Sequence, residues 1–214
     1  NSKKISSSFT SNFNSANNGV TNNFNTNYSS DNWGSITSIS ISKYGDIKMG
    51  KKRNHGYSNW GFTPIFSENS RYKFYAEPSI NSDKNIQKNT GYSQVDLFQK
   101  FLFRIGDNNL LNLNIQFSES SDIDRFDQLS IPKDDSLKFS EWYYGPQKRL
   151  LISPSLRIFP KKKFMDKGVI TFGFQKINES RIKRKFYSLN RSHQIEDLTV
   201  LSLNGDFDTS FNNG

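Results

Sequence analysis

Two neighbouring segments, residues 92–105 and 110–118, alternate apolar with polar side chains on either side of the turn formed by residues 106–109. In the first segment, Phe98 and Leu102 break the alternation. The apolar side chains of both segments fall on odd positions: Val95, Leu97, Phe101, Phe103, Ile105, Leu111, Leu113, Ile115 and Phe117. Successive side chains of a strand point to opposite faces, so the pattern predicts a hairpin with one apolar and one polar face.

Such a hairpin fits two architectures. A soluble β-sandwich covers the apolar face with a second sheet, whereas the wall of a membrane barrel turns it toward lipid and turns Asn112, Asn114 and Gln116 toward a water-filled lumen. The choice between these architectures decides the function.

Period-two segments recur along the chain, and no stretch of similar length has a 3.6-residue period, which predicts very little helix. Pro154 is unexpected within a strand because it has no N–H to donate. A change of phase near Val200 is typical of a β-bulge. The remaining predicted strands are residues 5–13, 20–28, 35–44, 150–158, 169–177 and 198–207.

The composition is unusual for a self-contained soluble core. Hydrophobic residues make up 33% and aromatic residues 14% of the 214 residues, and Phe alone occurs 19 times. No run of about 18 apolar residues exists, which excludes a membrane helix, whereas a barrel strand needs only about 9–11 alternating residues. Without Cys and with two His, the chain has no disulfide, and we expect neither a zinc site nor a cofactor.

The formal charge of +9 has two interpretations: solvated surface Lys, or contact with an anionic partner such as nucleic acid or lipopolysaccharide phosphates. The dense basic runs are residues 161–163 and 181–185. Neither has the glycine and aromatic framing of an RNA-binding module, so we do not expect a nucleic-acid partner.

Short and long connections alternate between the predicted strands. Residues 31–34, 106–109 and 160–168 form short connections, whereas 45–91, 119–147 and 178–197 form long ones. In an up-and-down sheet these two sets lie at opposite ends. Tight turns at one end and long loops at the other are typical of an outer-membrane barrel.

Several short motifs are spread along the chain. Two long ones are NTGYSQVDLFQKFL at residues 89–102 and EWYYGPQKRLL at residues 141–151. The others are MGK and RNHG at 49–56, IQFS, SSDI and RFD at 115–127, and NR, HQ and ED at 190–197. In collinear order, these segments resemble the early barrel strands of TonB-dependent outer-membrane receptors of the Bacteroidetes type, and EWYYGPQKRLL is the most distinctive match.

This resemblance implies an all-β fold of antiparallel up-and-down strands that forms about 8 of the 22 strands of a transmembrane barrel. The whole segment 1–214 would be part of that barrel domain. Because the chain starts at Asn1 rather than Met and shows no plug domain or TonB box, we expect a fragment. The implied activity is TonB-coupled uptake of a large scarce nutrient, foremost a ferric siderophore or haem, with outer-membrane lipid, lipopolysaccharide and TonB as partners.

Candidate ligand-binding residues lie in the long connections. Haem receptors often use loop His or Tyr as ligands, which makes His55 and His193 in predicted loops candidates. The alternative, which is favoured for a lone loop His, is a solvated side chain. The EWYYGPQKRLL segment has two interpretations. Either its aromatic residues and the Glu141 carboxylate contact the ligand, or Trp142, Tyr143 and Tyr144 pack the loop against the rim, and packing is favoured. The candidates are His55, Tyr57, Trp60, Trp142, Tyr143, Tyr144 and His193.

Aromatic residues near predicted strand ends have a second interpretation. Trp and Tyr form interfacial girdles on membrane barrels, although β-propensity also places them in strands. The residues concerned are Trp33, Tyr92, Trp142, Tyr143, Tyr144 and Tyr187.

Catalytic and metal motifs are weak. Asp122, Asp124 and Asp127 lack the glycine turn and closing Glu of a calcium loop, so a solvated charged loop is favoured. The sequence contains no GxSxG, P-loop or HExxH motif, and we do not expect an enzyme. The runner-up to the receptor is a soluble β-sandwich carbohydrate-binding module.

Overall fold

A computed structural model describes residues 3–106, 108–160 and 165–210, and it is an all-β structure. Segments in which apolar and polar residues alternate form the long strands, whereas short strands and one four-residue helix lie within the connections. The elements are β1 Lys4–Asn14, β2 Gly19–Ser29, β3 Trp33–Tyr44, β4 Ile47–Lys48, β5 Ile65–Phe66, β6 Ser79–Ile80, β7 Ile86–Gln87, β8 Tyr92–Ile105, β9 Asn109–Ser120, β10 Ile123–Asp124, α1 Phe126–Leu129, β11 Pro132–Lys133, β12 Ser136–Leu137, β13 Phe139–Tyr144, β14 Lys148–Ile158, β15 Lys167–Lys185 and β16 Ser192–Asp208.

Eight long strands form one antiparallel sheet in the order β1-β2-β3-β8-β9-β14-β15-β16, so each long strand pairs with the next long strand along the chain. All eight predicted strands and the up-and-down topology are confirmed. Beyond the end of β14, β13 pairs with β15 and β10 pairs with β13. Within the described residues, β1 and β16 are unpaired on their outer edges, and the sheet does not close on itself.

Pro154 is accommodated within β14 by a local gap in the ladder. On one side Pro154 stays in register with Leu113 of β9. On the other side the pairing with β15 stops at Ile152 and resumes, in the same register, at Ser155. The missing N–H of proline therefore falls where the ladder is interrupted.

The bulge predicted near Val200 is wrong. The register between β15 and β16 is unbroken from Lys167↔Asp208 to Lys183↔Ser192. The apparent change of phase arises because Leu198 and Val200 are apolar side chains on the polar face, where they pair with Ile177 and Gln175.

One face of the sheet, called here the apolar face, carries a belt that is continuous across all eight strands. Strand partners lie side by side on one face, so the register defines the belt. One row of partners runs Phe9, Phe24, Ile39, Leu97 and Phe117. A second row runs Ile115, Ile152, Phe174 and Leu201.

The opposite face, called here the polar face, carries mostly hydroxyls, amides and charged groups, with apolar exceptions such as Phe98 and Leu102. Ser118 donates to the Asp96 carboxylate at 2.8 Å, and the Gln94 amide donates to the same group at 2.8 Å. The structure confirms that the apolar odd-numbered set of the β8–β9 hairpin shares one face. Asn112, Asn114 and Gln116 lie on the other face.

Connections lie alternately at two ends of the sheet. At the turn end they comprise residues 30–32, 106–108 and 159–166, of which Asp107 and residues 161–164, including the basic run 161–163, lie outside the described residues. At the loop end they comprise residues 15–18, 45–91, 121–147 and 186–191. The long loops therefore share one end.

The predicted long loop 178–197 is wrong, because β15 and β16 extend far beyond their neighbours and leave only residues 186–191 between them. Charged side chains gave that stretch the composition of a loop, although alternate positions still pair in register.

Buried hydrophobic side chains lie at the loop end, where the connections fold over β13 and the extension of β15. Every buried large hydrophobic residue found in the described ranges belongs to this region: Leu129, Leu137, Phe139, Tyr143, Ile182 and Phe186. No helix in the described part of the chain is long or apolar enough to cross a membrane.

Candidate ligand-binding surface

Strand β13 divides the EWYY segment between two environments because successive side chains point to opposite faces. Trp142 and Tyr144 lie on the polar face, opposite Lys183 and Arg181 of β15. Glu141 and Tyr143 point the other way and are buried. The packing interpretation therefore describes Tyr143, and Glu141 is buried rather than presented to a ligand. Trp142 and Tyr144 remain partly exposed candidates for ligand contact.

The polar face of β13 and β15 carries what we call the cation–aromatic ladder, formed by Arg125, Trp142, Tyr144, Arg181 and Lys183. The ammonium of Lys183 lies 5.7 Å from the ring centroid of Trp142, and the guanidinium of Arg181 lies 5.7 Å from that of Tyr144. Both distances are within the range of a cation–π interaction. The ladder places positive charge along one strand and aromatic rings along its neighbour.

Arg125 joins the two aromatic residues of the ladder from the segment before α1. Its Nη1 donates to the Tyr144 hydroxyl at 2.7 Å, and its Nε and Nη2 donate to the Asp127 carboxylate at 2.8 and 2.7 Å. The guanidinium also lies 6.0 Å from the Trp142 centroid and 5.6 Å from that of Tyr144. These hydrogen bonds hold the pKa of Asp127 well below its usual range.

Behind the ladder, a buried ion triad ties the loops to the sheet. The Glu141 carboxylate is fully buried and accepts from Arg184 Nε at 2.8 Å, from Arg191 Nη2 at 2.6 Å and from Arg191 Nε at 3.0 Å. Arg184 also donates to Asn69 at 2.9 Å. The ring of Phe74 lies against both guanidinium groups.

The triad therefore connects four parts of the chain: loop 45–91, β13, β15 and the connection before β16. Its charges are satisfied by one another and by neighbouring polar atoms, as burial of charge requires. Arg184 and Arg191 were not among the residues predicted from the sequence. Nothing in one sequence pairs Glu141 with residues 43 and 50 positions away.

His55, Tyr57 and Trp60 come together as an exposed aromatic cluster in loop 45–91. The His55 ring centroid lies 5.7 Å from that of Tyr57 and 5.4 Å from that of Trp60. The backbone N–H of Tyr57 donates to His55 Nδ1 at 3.1 Å. All three side chains are accessible to a ligand.

His193 lies elsewhere, and its predicted position in a loop is wrong. It belongs to β16 and pairs with Ile182 of β15, which places it on the face opposite Arg181 and Lys183. The extension of β15 and β16 into the predicted loop accounts for the difference. The seven candidate residues therefore do not form a single site.

The predicted aromatic girdle is divided among three environments. Trp33 lies on the apolar face at the turn end, where its ring centroid is 4.3 Å from that of Tyr28 and 6.4 Å from that of Phe103. Tyr92 pairs with Tyr44 on the polar face, so a girdle position on the apolar face is wrong for Tyr92. Tyr187 is exposed in the β15–β16 connection.

Trp142 and Tyr144 lie on the polar face, and Tyr143 is buried among the loops, so the three residues of β13 do not stand on the apolar face. Girdle positions on that face are therefore wrong for them as well. Of the six aromatic residues considered, Trp33 is the one that the register places at an end of the apolar belt.

Of the three Asp residues considered as a cation site, Asp127 is engaged by Arg125. No group of His, Asp and Glu in the described ranges has the arrangement of a metal site. Burial, followed by repulsion from Asp122, Asp46 and Glu141, raises the pKa of Asp124 to about 7. Burial also raises the pKa of Asp122.

A cavity of about 440 Å³ adjoins the far end of β15. The hydroxyl of Ser136 on its wall is buried and has no hydrogen-bond partner within the described structure. Its charged lining is balanced, with three cations and three carboxylates: Lys133, Lys138, Lys185, Glu77, Asp134 and Asp135.

Comparison with protein-family models, with curated protein sequences and with solved structures gave no match for this chain.

Proposed function

We propose that this chain forms part of the barrel wall of an outer-membrane receptor that takes up a large scarce nutrient by TonB-coupled active transport. The observation that carries the proposal is the apolar belt, which crosses all eight long strands and lies opposite a polar face. Such a belt suits a wall between lipid and a hydrated lumen.

The dimensions of the belt suit a bilayer. On β9 it extends from Leu111 to Phe117, and on β14 from Leu150 to Ile158. At about 3.4 Å per residue these distances are about 20 and 27 Å, close to the band of about 25 Å on outer-membrane barrels. Charged side chains limit the belt at the loop end on the same face: Lys43, Glu119, Lys148, Lys176 and Asp197.

The ends of the sheet support the same assignment. Long connections gather at one end, as external loops do, and short turns at the other. Tyr28, Trp33 and Phe103 cluster on the apolar face at the turn end, where a girdle would meet the headgroups. In a membrane, the outer edges of β1 and β16 would have to pair with further strands, because lipid cannot form hydrogen bonds with unpaired backbone N–H and C=O groups.

The soluble sandwich is the less supported alternative. It requires a second sheet over the apolar face, yet the other sheets in the described ranges have two strands each and lie among the loop-end connections. Large hydrophobic side chains such as Phe9 and Leu203 remain exposed on that face, at 66% and 75% of their full surface.

By the resemblance, the cargo would be an iron chelate, either a ferric siderophore or haem. The loops would capture it, and a plug domain driven by TonB would release it. His55, Tyr57 and Trp60 in one loop, and Trp142 and Tyr144 on the polar face, are the residues we propose for contact with the cargo.

Two measurements test the proposal. Fractionation of the native host should place the protein in the outer membrane, resistant to alkaline extraction. Deletion of the full gene should abolish growth on one of haem, ferric siderophore, cobalamin or glycan as the sole source, and the loss should match that of a TonB deletion. A soluble protein, or growth unchanged on all four nutrients, contradicts the proposal.

A further inference from the structure

Strand β15 carries three cations on alternate positions at the loop end. Arg181, Lys183 and Lys185 share the polar face because strand side chains alternate, whereas Ile182 and Arg184 between them are buried. Alternate residues are about 6.7 Å apart along a strand, so the row extends over about 13 Å. In the basic run 181–185, the odd-numbered residues therefore form a row of exposed positive charge, and the even-numbered residues pack against the rest of the protein.

Acidic partners neutralise this row only in part. Arg181 lies 3.7 Å from Glu196, a long ion pair between half-exposed groups. Among the described residues, neither Lys183 nor Lys185 has a carboxylate within ion-pair distance. The row thus retains positive charge that faces water.

The aromatic residues of β13 orient the cations of the ladder. Lys183 lies over Trp142, and Arg181 lies over the ring of Tyr144, which Arg125 approaches as well. Side chains held in this way lose less conformational freedom on binding than free ones do, which strengthens recognition of a ligand. The neighbouring cavity has balanced charge and adds no preference of its own.

We infer that the cargo of this receptor is multiply anionic and that Arg181 and Lys183 of the cation–aromatic ladder attract and bind its negative groups. This inference rests on the proposed function, because it assumes that the polar face lines the path of the cargo. The shared chemistry is several negative charges within about 13 Å, found both in an anionic ferric chelate and in an oligosaccharide of acidic sugars.

Binding to the full-length protein, purified in detergent, tests the inference. The probes are a ferric tris-catecholate complex and a uronate hexasaccharide, each measured beside a neutral counterpart, a ferric trihydroxamate complex or a glucose hexasaccharide. We expect one anionic probe to bind, and to bind more weakly as salt increases. The two arms distinguish a chelate from an acidic glycan.

Variants assign the binding to the ladder. The double variant R181Q/K183Q should lower the affinity for the anionic probe by about tenfold, because two partly exposed charge contacts are lost. The double variant K148Q/K176Q removes the same charge from the apolar face of β14 and β15 and should leave affinity unchanged. The charge-preserving variant R181K/K183R should retain binding, which separates loss of charge from loss of folding.

Three results overturn the inference: neutral probes bind as tightly as anionic ones, both double variants weaken binding equally, or no anionic probe binds the folded protein. Each is distinct from failure of the proposed function, which fractionation and growth measure independently. If the protein lies in the outer membrane but binds a neutral chelate, the proposed receptor function stands and the inference of an anionic cargo is wrong.

Discussion

Apolar side chains are exposed on one face of the eight long strands, called here the wall, but are buried at the loop end. On the wall, Phe9 and Leu203 are 66% and 75% exposed although they lie on regular strands. At the loop end, Phe139 and Ile182 are 6% and 5% exposed although irregular connections surround them. Soluble domains usually bury the hydrophobic residues of their most regular elements.

In the proposed barrel wall, this difference corresponds to two solvent environments within one sheet. Loop-end strands are covered by the chain itself and hold a buried ion triad, as a region in water does. In the described ranges, no second large sheet covers the apolar face of the long strands. The boundary between the regions is marked on the apolar face by charged residues such as Glu119 and Lys176. The predictions below test whether the two regions respond independently.

The largest effect is expected from Glu141→Gln. Loss of the buried carboxylate leaves Arg184 and Arg191 without their counter-charge, and breaking such a pair costs about 3–5 kcal/mol. Hydrogen exchange of the full-length protein should show loss of protection in loop 45–91 and β13, with β8 and β9 unchanged.

The matched control for this variant is Glu119→Gln, which removes a partly exposed partner of Lys148. We expect Glu119→Gln to lower the free energy of unfolding by less than about 1 kcal/mol. Equal loss of protection in the wall after Glu141→Gln would show that the two regions form one cooperative unit.

The second effect separates the two faces of the wall. Leu113→Lys places a charge on the apolar belt and should destabilise the protein in lipid vesicles by about 2–4 kcal/mol. Asn114→Lys, the next residue on the polar face, should change stability by less than about 1 kcal/mol because surface charges cost little. Urea titration of the vesicle-inserted protein measures both, and equal costs would contradict the assignment of faces.

A smaller effect is expected from Trp33→Ala at the turn end of the belt. Its contacts with Tyr28 and Phe103 should contribute about 1 kcal/mol, the usual value for aromatic pairs. Trp33→Phe keeps the ring and should recover most of this loss in the same urea titration. No loss on removal of the ring would argue against an interfacial role for Trp33.

The last expected effect is a pH dependence that is confined to the loop end. Because the folded protein raises the pKa of Asp124 to about 7, from an ordinary value near 3.9, it binds this proton more tightly than the unfolded chain does. The loop end should therefore lose stability as pH rises from about 4 to about 7.

Limited proteolysis of loop 45–91 at pH 5 and pH 8 measures the dependence on Asp124. The Asp124→Asn variant should show a smaller difference between the two conditions than the native protein does. Exposed Asp31→Asn, at the turn end, is the control and should leave the difference as it is. An unchanged difference in Asp124→Asn would assign the pH dependence to another group.

The strands of the wall were predictable from the sequence because their pattern is local. Leu111 to Phe117 alternate over consecutive residues, and neighbouring strands follow one another along the chain. The sequence-based predictions were wrong where charged residues occupy strand positions, as in residues 178–197. They were also wrong where apolar residues such as Val200 lie on the polar face.

The candidate surface was less predictable because it is assembled from distant segments. Trp142 and Tyr144 were identified, but their division from Tyr143 follows from pairing with β15. The alternation of Arg181, Lys183 and Lys185 was a usable signal, since period two separates them from buried Ile182 and Arg184. Contacts of Glu141 with Arg184 and Arg191 depend on loop packing, which one sequence does not encode in any short-range pattern.

The most direct test of the central claim uses the absence of native cysteine. Single cysteines replace Leu111, Asn112, Leu113, Asn114, Ile115 and Gln116 of β9 in turn, and spin labels on each report collisions with oxygen in lipid or with a water-soluble nickel complex. In vesicles, labels at odd positions should collide with oxygen and labels at even positions with nickel. Protection of the odd positions from both reagents would place them in a closed core and contradict a lipid-facing wall.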